Sequence, residues 1–153
     1  MLSAGSAHAP DAMKLVPPFR ARAPAEPPPL MGELDLRTLA ATELAAAGRT
    51  AYQKSVWAEA IPLWHYAVRA GAAETYNLAC VYALSGDAEA AFHWLLRAAE
   101  LDGVDAEWAA ADQDLDLLRR DPRWTRVHAF LRAWNVRWAT SGQRAFSLVV
   151  PTG

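Results

Sequence analysis

Laid on itself with a shift of 31 residues, the chain brings two helical hairpins into register. Gly48 falls on Ala79, Ala60 on Ala91 and Ala67 on Ala98, and the pair Leu63, Trp64 falls on the pair Trp94, Leu95. Self-similarity at a period of about 20 to 50 residues is the mark of stacked repeats, because each unit carries an apolar face that only a neighbour can cover. A chain with this property is expected to be all-α, with antiparallel helical hairpins stacked one on the next.

The second unit, "YNLACVYALSGDAEAAFHWLLRAAEL", is patterned most clearly. Leu78, Ala79 and Tyr82 share one face of its first helix, and Ala91, Trp94, Leu95 and Ala98 recur at i, i+3, i+4, i+7 on its second. Small residues at Gly48/Ala79 and Ala60/Ala91 let the helix axes approach, and Tyr82, Trp64 and Trp94 fill the space beside them. Between the helices, Gly86 tolerates a bent backbone and Asp87 can cap the next helix. The first unit answers with the hinge in "QKSVWAEA", which lacks the Gly-Asp turn, and with Pro62 beyond the first turn of its second helix, where a kink is expected.

Residues 41 to 134 resemble the tetratricopeptide repeat family. "AAAGRTAYQKSVWAEAIPLWHYAVRAGA" looks like one unit and "AAETYNLACVYALSGDAEAAFHWLLRAAELDG" like a second, closer one. "DAEWAAADQDLDLLRRDPRWTRVHAFL" resembles the element that closes short bacterial arrays of that family. In it Asp121 caps, Pro122 takes the first helical position, and Trp124, Val127, His128, Leu131 and Trp134 form the stripe of a capping helix. The resemblance implies a short solenoid whose concave face binds a peptide or partner protein. By helical phase the exposed candidates are Ala45, Arg49, Tyr52 and Gln53 in the first unit, and Ala73, Tyr76, Asn77, Cys80 and Leu84 in the second. Asn77 matches one asparagine of a terminal-carboxylate clamp, but Ala45 stands where a lysine is needed, so a mostly neutral, aromatic groove fits the residues better.

Composition narrows the function classes. At 153 residues the chain suffices for one ordinary domain, and a net charge of −2 generates no field that attracts nucleic acid or an anionic membrane. The lone Cys80 excludes an internal disulfide framework and a multi-cysteine zinc site. Asp112, Asp114 and Asp116 alternate as in a calcium loop. The loop's glycine and closing glutamate are replaced by Leu117 and Arg123, so calcium is not expected. From Glu100 to Asp116 there are seven acids and no base, and from Arg119 to Arg144 seven arginines and one acid. These stretches are expected to screen each other, which makes a nucleic-acid partner unexpected even with Trp124, Trp134 and Trp138 interleaved. His65, His93 and His128 lack metal-pair spacing, and no catalytic or phosphate-binding motif occurs. The expectation is a recognition module, not an enzyme, with no cofactor and no metal.

The ends differ from the centre. Seven of the ten prolines lie in residues 10 to 32, so residues 1–33 read as a disordered, polyproline-like lead, with 34–140 as the repeat domain. No apolar run reaches the roughly 20 residues of a membrane span. "SAHAP" supplies an Ala-x-Ala end without the apolar stretch of a signal peptide. A cytoplasmic location is therefore expected, or export if the start codon is misassigned. In the tail 141–153, "AFSLVV" has the pattern of a strand and resembles the opening of an α/β-hydrolase esterase. The alternative to a stand-alone binding module is thus the front module of a longer, truncated hydrolase.

Overall fold

The computed structural model describes residues 16–25 and 40–140, and every regular element among them is helical. The strand-like "AFSLVV" and residues 34–39 lie outside the described residues. The elements are α1 (Ala41–Gln53), α2 (Trp57–Arg69), α3 (Thr75–Leu84), α4 (Ala88–Leu101), α5 (Ala106–Ala111), a 3-10 turn (Gln113–Leu115), α6 (Asp116–Arg119) and α7 (Trp124–Thr140). α1 packs on α2, α2 on α3 and α3 on α4, so two hairpins stack, and α7 reaches back onto α4, α5 and α6.

The two hinges repeat one hydrogen-bond pattern at a spacing of 31. Val56 N–H donates to Ala51 O at 2.9 Å, and Asp87 N–H donates to Tyr82 O at the same distance. Each six-residue closure needs one left-handed residue just before it. Gly86 supplies it with φ 94°, and Ser55 supplies it in the first hinge with φ 60°, at the cost of its Cβ. Asp87 then caps α4 by accepting Ala90 N–H at 3.0 Å, whereas Val56 offers α2 no side-chain cap. Helix α2 runs through Pro62 as one element.

The hairpins meet where the sequence is smallest and largest. Trp64 is fully buried and donates its indole N–H to Ala45 O at 3.2 Å. A Cβ on Gly48 would lie 2.5 Å from that ring. Ala60, Ala67, Ala79, Ala91 and Ala98 are all buried, so the small stripe runs through both units. Ala45, read as exposed, is corrected to buried, and its carbonyl accepts the Trp64 indole N–H. At the far end, Val127, Leu131 and Trp134 of α7 face inward, with Trp124 and His128 half-buried. Asp121 accepts Arg123 N–H at 2.9 Å, and α7 begins at Trp124, after a turn that contains Pro122. Asn135 joins α7 to the start of α5, accepting Ala106 N–H at 2.8 Å and donating to Val104 O at 2.7 Å.

Part of the proline-rich lead does not behave as a free linker. Residues 16–25 form no regular element, yet they lie along α4 and the start of α7. Phe19 sets its ring edge-on to Phe92 with centroids 5.5 Å apart, and Arg22 N–H donates to Glu89 Oε2 at 2.9 Å. Proline excludes helix here but leaves an extended strap whose intervening side chains can anchor it.

Replacing Gly48 by alanine should destabilise the chain by about 1–2 kcal/mol in thermal or urea unfolding. The contact with a fully buried tryptophan outweighs the roughly 1 kcal/mol of helix propensity gained. A stabilised variant would show that Trp64 has room to move.

His65 gives the core a pH dependence. Its Nε2 lies 2.7 Å from the Tyr82 hydroxyl and its ring sits edge-on to Trp94. Burial, and then neighbouring His93, lower its pKa from 6.5 to about 4. The unfolded chain therefore binds a proton in this window that the folded chain refuses, so stability is full above about pH 6.5 and declines as pH falls toward 4. Between about pH 7 and pH 5 the melting temperature should fall less for His65→Gln than for the parent; equal falls would assign the effect to other groups.

Candidate partner-binding face

The first helices of the two hairpins, α1 and α3, carry the residues expected to form an open concave face. The structure opens that face only in part. Gln53 and Ala73 are exposed, and Arg49, Tyr52 and Leu84 are half-buried. Tyr76 and Cys80 are 0% exposed and Asn77 3%, so these three are corrected from exposed candidates to core. All residues of α3 from Thr75 to Ala83 are buried. The cover comes from the chain itself: the 3-10 turn and α6 pack against α3, and their own Leu115 and Leu118 are fully buried. Helical phase on α3 alone carries no information about a segment more than 30 residues downstream.

A ladder of polar contacts holds this cover in place. Tyr76 donates its hydroxyl to Asp112 Oδ2 at 2.7 Å, and Tyr52 donates its hydroxyl to Asp114 Oδ2. The Cys80 thiol lies 3.8 Å from Asp112 Oδ2, and Asp112 Oδ1 accepts Asp114 N–H at 3.0 Å, which caps the turn. The alternating aspartates that resembled a calcium loop thus place two carboxylates opposite two tyrosines. Burial first, and then Asp114, push the Tyr52 pKa far up; burial, then Cys80 and Asp112, do the same for Tyr76. Both hydroxyls stay protonated and keep donating. Burial, reinforced by Asp112 and Asp114, raises the Cys80 thiol well above its ordinary value, which keeps it protonated at neutral pH. Cys80, Asp112 and Asp114 could each offer one ligand atom within 4.8 Å of the others. In this structure the Tyr76 hydroxyl and the Cys80 thiol lie against Asp112, and the Tyr52 hydroxyl against Asp114.

Arg49 and Asn77 also meet inside the protein. Asn77 donates to Glu74 Oε2, Arg49 Nη1 stands 3.8 Å from Glu74 Oε1, and Glu74 is 8% exposed. Burial raises the Glu74 pKa, with Asn77 and Arg49 opposing the shift. The clamp-like asparagine therefore faces a carboxylate of its own chain. Its Oδ1 is buried without a hydrogen-bond partner among the described residues.

What remains open is the edge of the face beside the first hinge. Tyr52, Gln53 and Leu84 come together there with Ser55, Trp57 and Asp114 around a shallow pocket of about 650 Å³. The Tyr52 and Trp57 rings stand 5.6 Å apart at 52°. Burial, and then Asp112 and Asp116, raise the Asp114 pKa against the Tyr52 hydrogen bond. Sequence phase found three of these residues. Ser55 and Trp57 belong to the hinge, and Asp114 comes from the covering segment, so no helical period links them.

The arginine-rich stretch is largely paired. Arg119 pairs with Asp116, Arg123 with Asp121 and Glu89, and Arg132 and His128 approach Glu107 at 3.6 and 3.7 Å. Among the described residues no helix is long and apolar enough to cross a membrane. Comparison with family models, with curated proteins and with solved structures finds nothing that matches this chain.

Removing Asp112 as alanine should cost about 2–3 kcal/mol, because it strands the buried Tyr76 hydroxyl and uncaps the turn. Tyr76→Phe alone should cost about 1 kcal/mol, and the double variant less than the sum of the two. Additive losses in urea unfolding would mean that the two groups do not share the bond drawn here.

Proposed function

We propose that the chain is a short, tetratricopeptide-like stack of helical hairpins that binds a peptide or a partner protein through the open edge of its α1–α3 face. The observation that carries this reading is the convergence of Tyr52, Gln53, Leu84 and Trp57 on one pocket, with the Asp114 carboxylate at its wall. Aromatic rings at 5.6 Å offer flat faces to an alkyl stem or a cation, and the carboxylate offers it a counter-charge. A lysine or arginine side chain of an extended partner segment has the matching chemistry, and no lining residue is basic. The left-handed Ser55 on the rim is consistent with a hinge shaped for more than chain reversal. In this reading the chemistry of the protein is recognition, and the buried tyrosine–aspartate ladder serves to hold Asp114 at the pocket.

Selection of a random peptide library on the intact chain tests the proposal. Enriched sequences should carry a basic residue, and their affinity should fall about tenfold, near 1.4 kcal/mol, for Trp57→Ala or for Asp114→Asn. Peptides that bind these variants as well as the parent would overturn the assignment of the site.

A further inference from the structure

A second groove, remote from the α1–α3 pocket in its lining residues, runs along α4 to the start of α7 and already holds a peptide-like segment of the chain. Its floor is Phe92, fully buried, with the Arg123 guanidinium 4.7 Å from the centre of that ring. Arg123 is fixed before it meets any ligand. It donates to both Asp121 oxygens at 3.0 Å and to Glu89 Oε1 at 2.9 Å. The same guanidinium lies 5.2 Å from the Phe19 ring centre, and Arg126 lies 5.6 Å from it on the strap's aromatic anchor. The backbone of the strap is read as well. Arg22 N–H is taken by the second oxygen of Glu89 at 2.9 Å.

The strap does not fill the groove. Beside it a cavity of about 890 Å³ lies open, bounded on α4 by His93, Leu96, Arg97 and Glu100. A further opening of about 420 Å³ lies near its C-terminal end, against Asp87 and Ala90. Both openings lie at the surface beside the strap, so the α4 face offers more contact area than residues 16–25 cover. The contacts are also general ones: an aromatic ring between an edge-on ring and two guanidiniums, and one backbone N–H. Any extended segment with a phenylalanine or tyrosine and a free N–H three residues later can make them.

We propose that the α4–α7 groove is a recognition site for an extended partner segment of this type, with proline before its aromatic anchor, and that residues 16–25 are its resident competitor. The fifteen residues between the strap and α1 tether that competitor at a high effective concentration. The site is therefore latent, and a partner segment enters by displacing Phe19.

The test uses the full chain, with a fluorescein-labelled peptide of residues 16–25 as the probe and anisotropy as the readout. Phe19→Ala removes the resident anchor, and Phe19→Ala combined with Arg22→Pro also removes the N–H that Glu89 accepts. Both should bind the peptide about tenfold or more tightly than the parent. Adding Glu89→Ala or Arg123→Met to the Phe19→Ala chain should abolish the gain, with an unchanged circular dichroism spectrum as the check on folding. A peptide whose phenylalanine is replaced by alanine should not bind. Equal affinity for parent and Phe19→Ala chains, no binding to a folded Phe19→Ala chain, or indifference to Glu89 and Arg123 would each overturn the proposal. A parent chain that is dimeric by light scattering and becomes monomeric on Phe19→Ala would also overturn it, by making a second copy the occupant.

Discussion

Helix α3 has no side that faces water, and the arrangement of the other elements follows from that. From Thr75 to Ala83 every residue is buried, so the helix needs apolar neighbours all round and a partner for each polar side chain it carries. α2 and α4 supply two walls, and the Gln113–Arg119 segment supplies another. Acids meet three of the polar groups: Asp112 takes the Tyr76 hydroxyl, Asp102 the Thr75 hydroxyl and Glu74 the Asn77 amide N–H. Hydrogen bonds to ionised acceptors are worth roughly 1.5–3 kcal/mol each, and leaving a buried donor unmet costs a similar amount. The covering segment is therefore specified in position and not merely attracted by apolar surface.

That cover redistributes the surface available for binding. In a bare stack of two hairpins the α1–α3 face would be the widest concavity. Here the chain's own Leu115 and Leu118 occupy it, and the accessible part contracts to the hinge edge around Tyr52 and Trp57. The same ladder that closes most of the face brings Asp114 to the pocket that stays open, so the fold and the proposed site share residues. On the opposite flank Arg123 plays the organising part. Two carboxylates, Asp121 and Glu89, raise its pKa and fix its plane over Phe92. A ring placed against that cation gains about 0.5–1 kcal/mol where solvent reaches it and more where it does not.

Much of the helical core was legible beforehand. The small stripe of Ala60, Ala67, Ala79, Ala91 and Ala98 is buried as its period implied, and Gly86 and Asp87 form the hinge and cap read from "SGD". Local rules suffice there, because helical period and turn chemistry act over a few residues. The site was less legible. Tyr76, Asn77 and Cys80 share a helical phase that reads as facing an open concave side, and all three are buried. Helical phase is silent on what lies opposite. The strap was missed for a related reason: proline density excludes a helix in residues 10–32, yet says nothing about whether a single phenylalanine finds a ring and two guanidiniums.

The sequence by itself determined the helical class of the described residues, the 31-residue spacing of the two hinges, and the buried stripe of small residues. These depend on periods and backbone preferences that neighbours along the chain impose. Tertiary structure alone decided that Asp112 and Asp114 reach Tyr76 and Tyr52, that α3 loses its open face, and that Phe19 seats on Phe92 beside Arg123. Those pairings join residues 36, 62 and 73 positions apart. Their energy is realised only once the hairpins have stacked and brought distant segments into contact, so no local pattern records them.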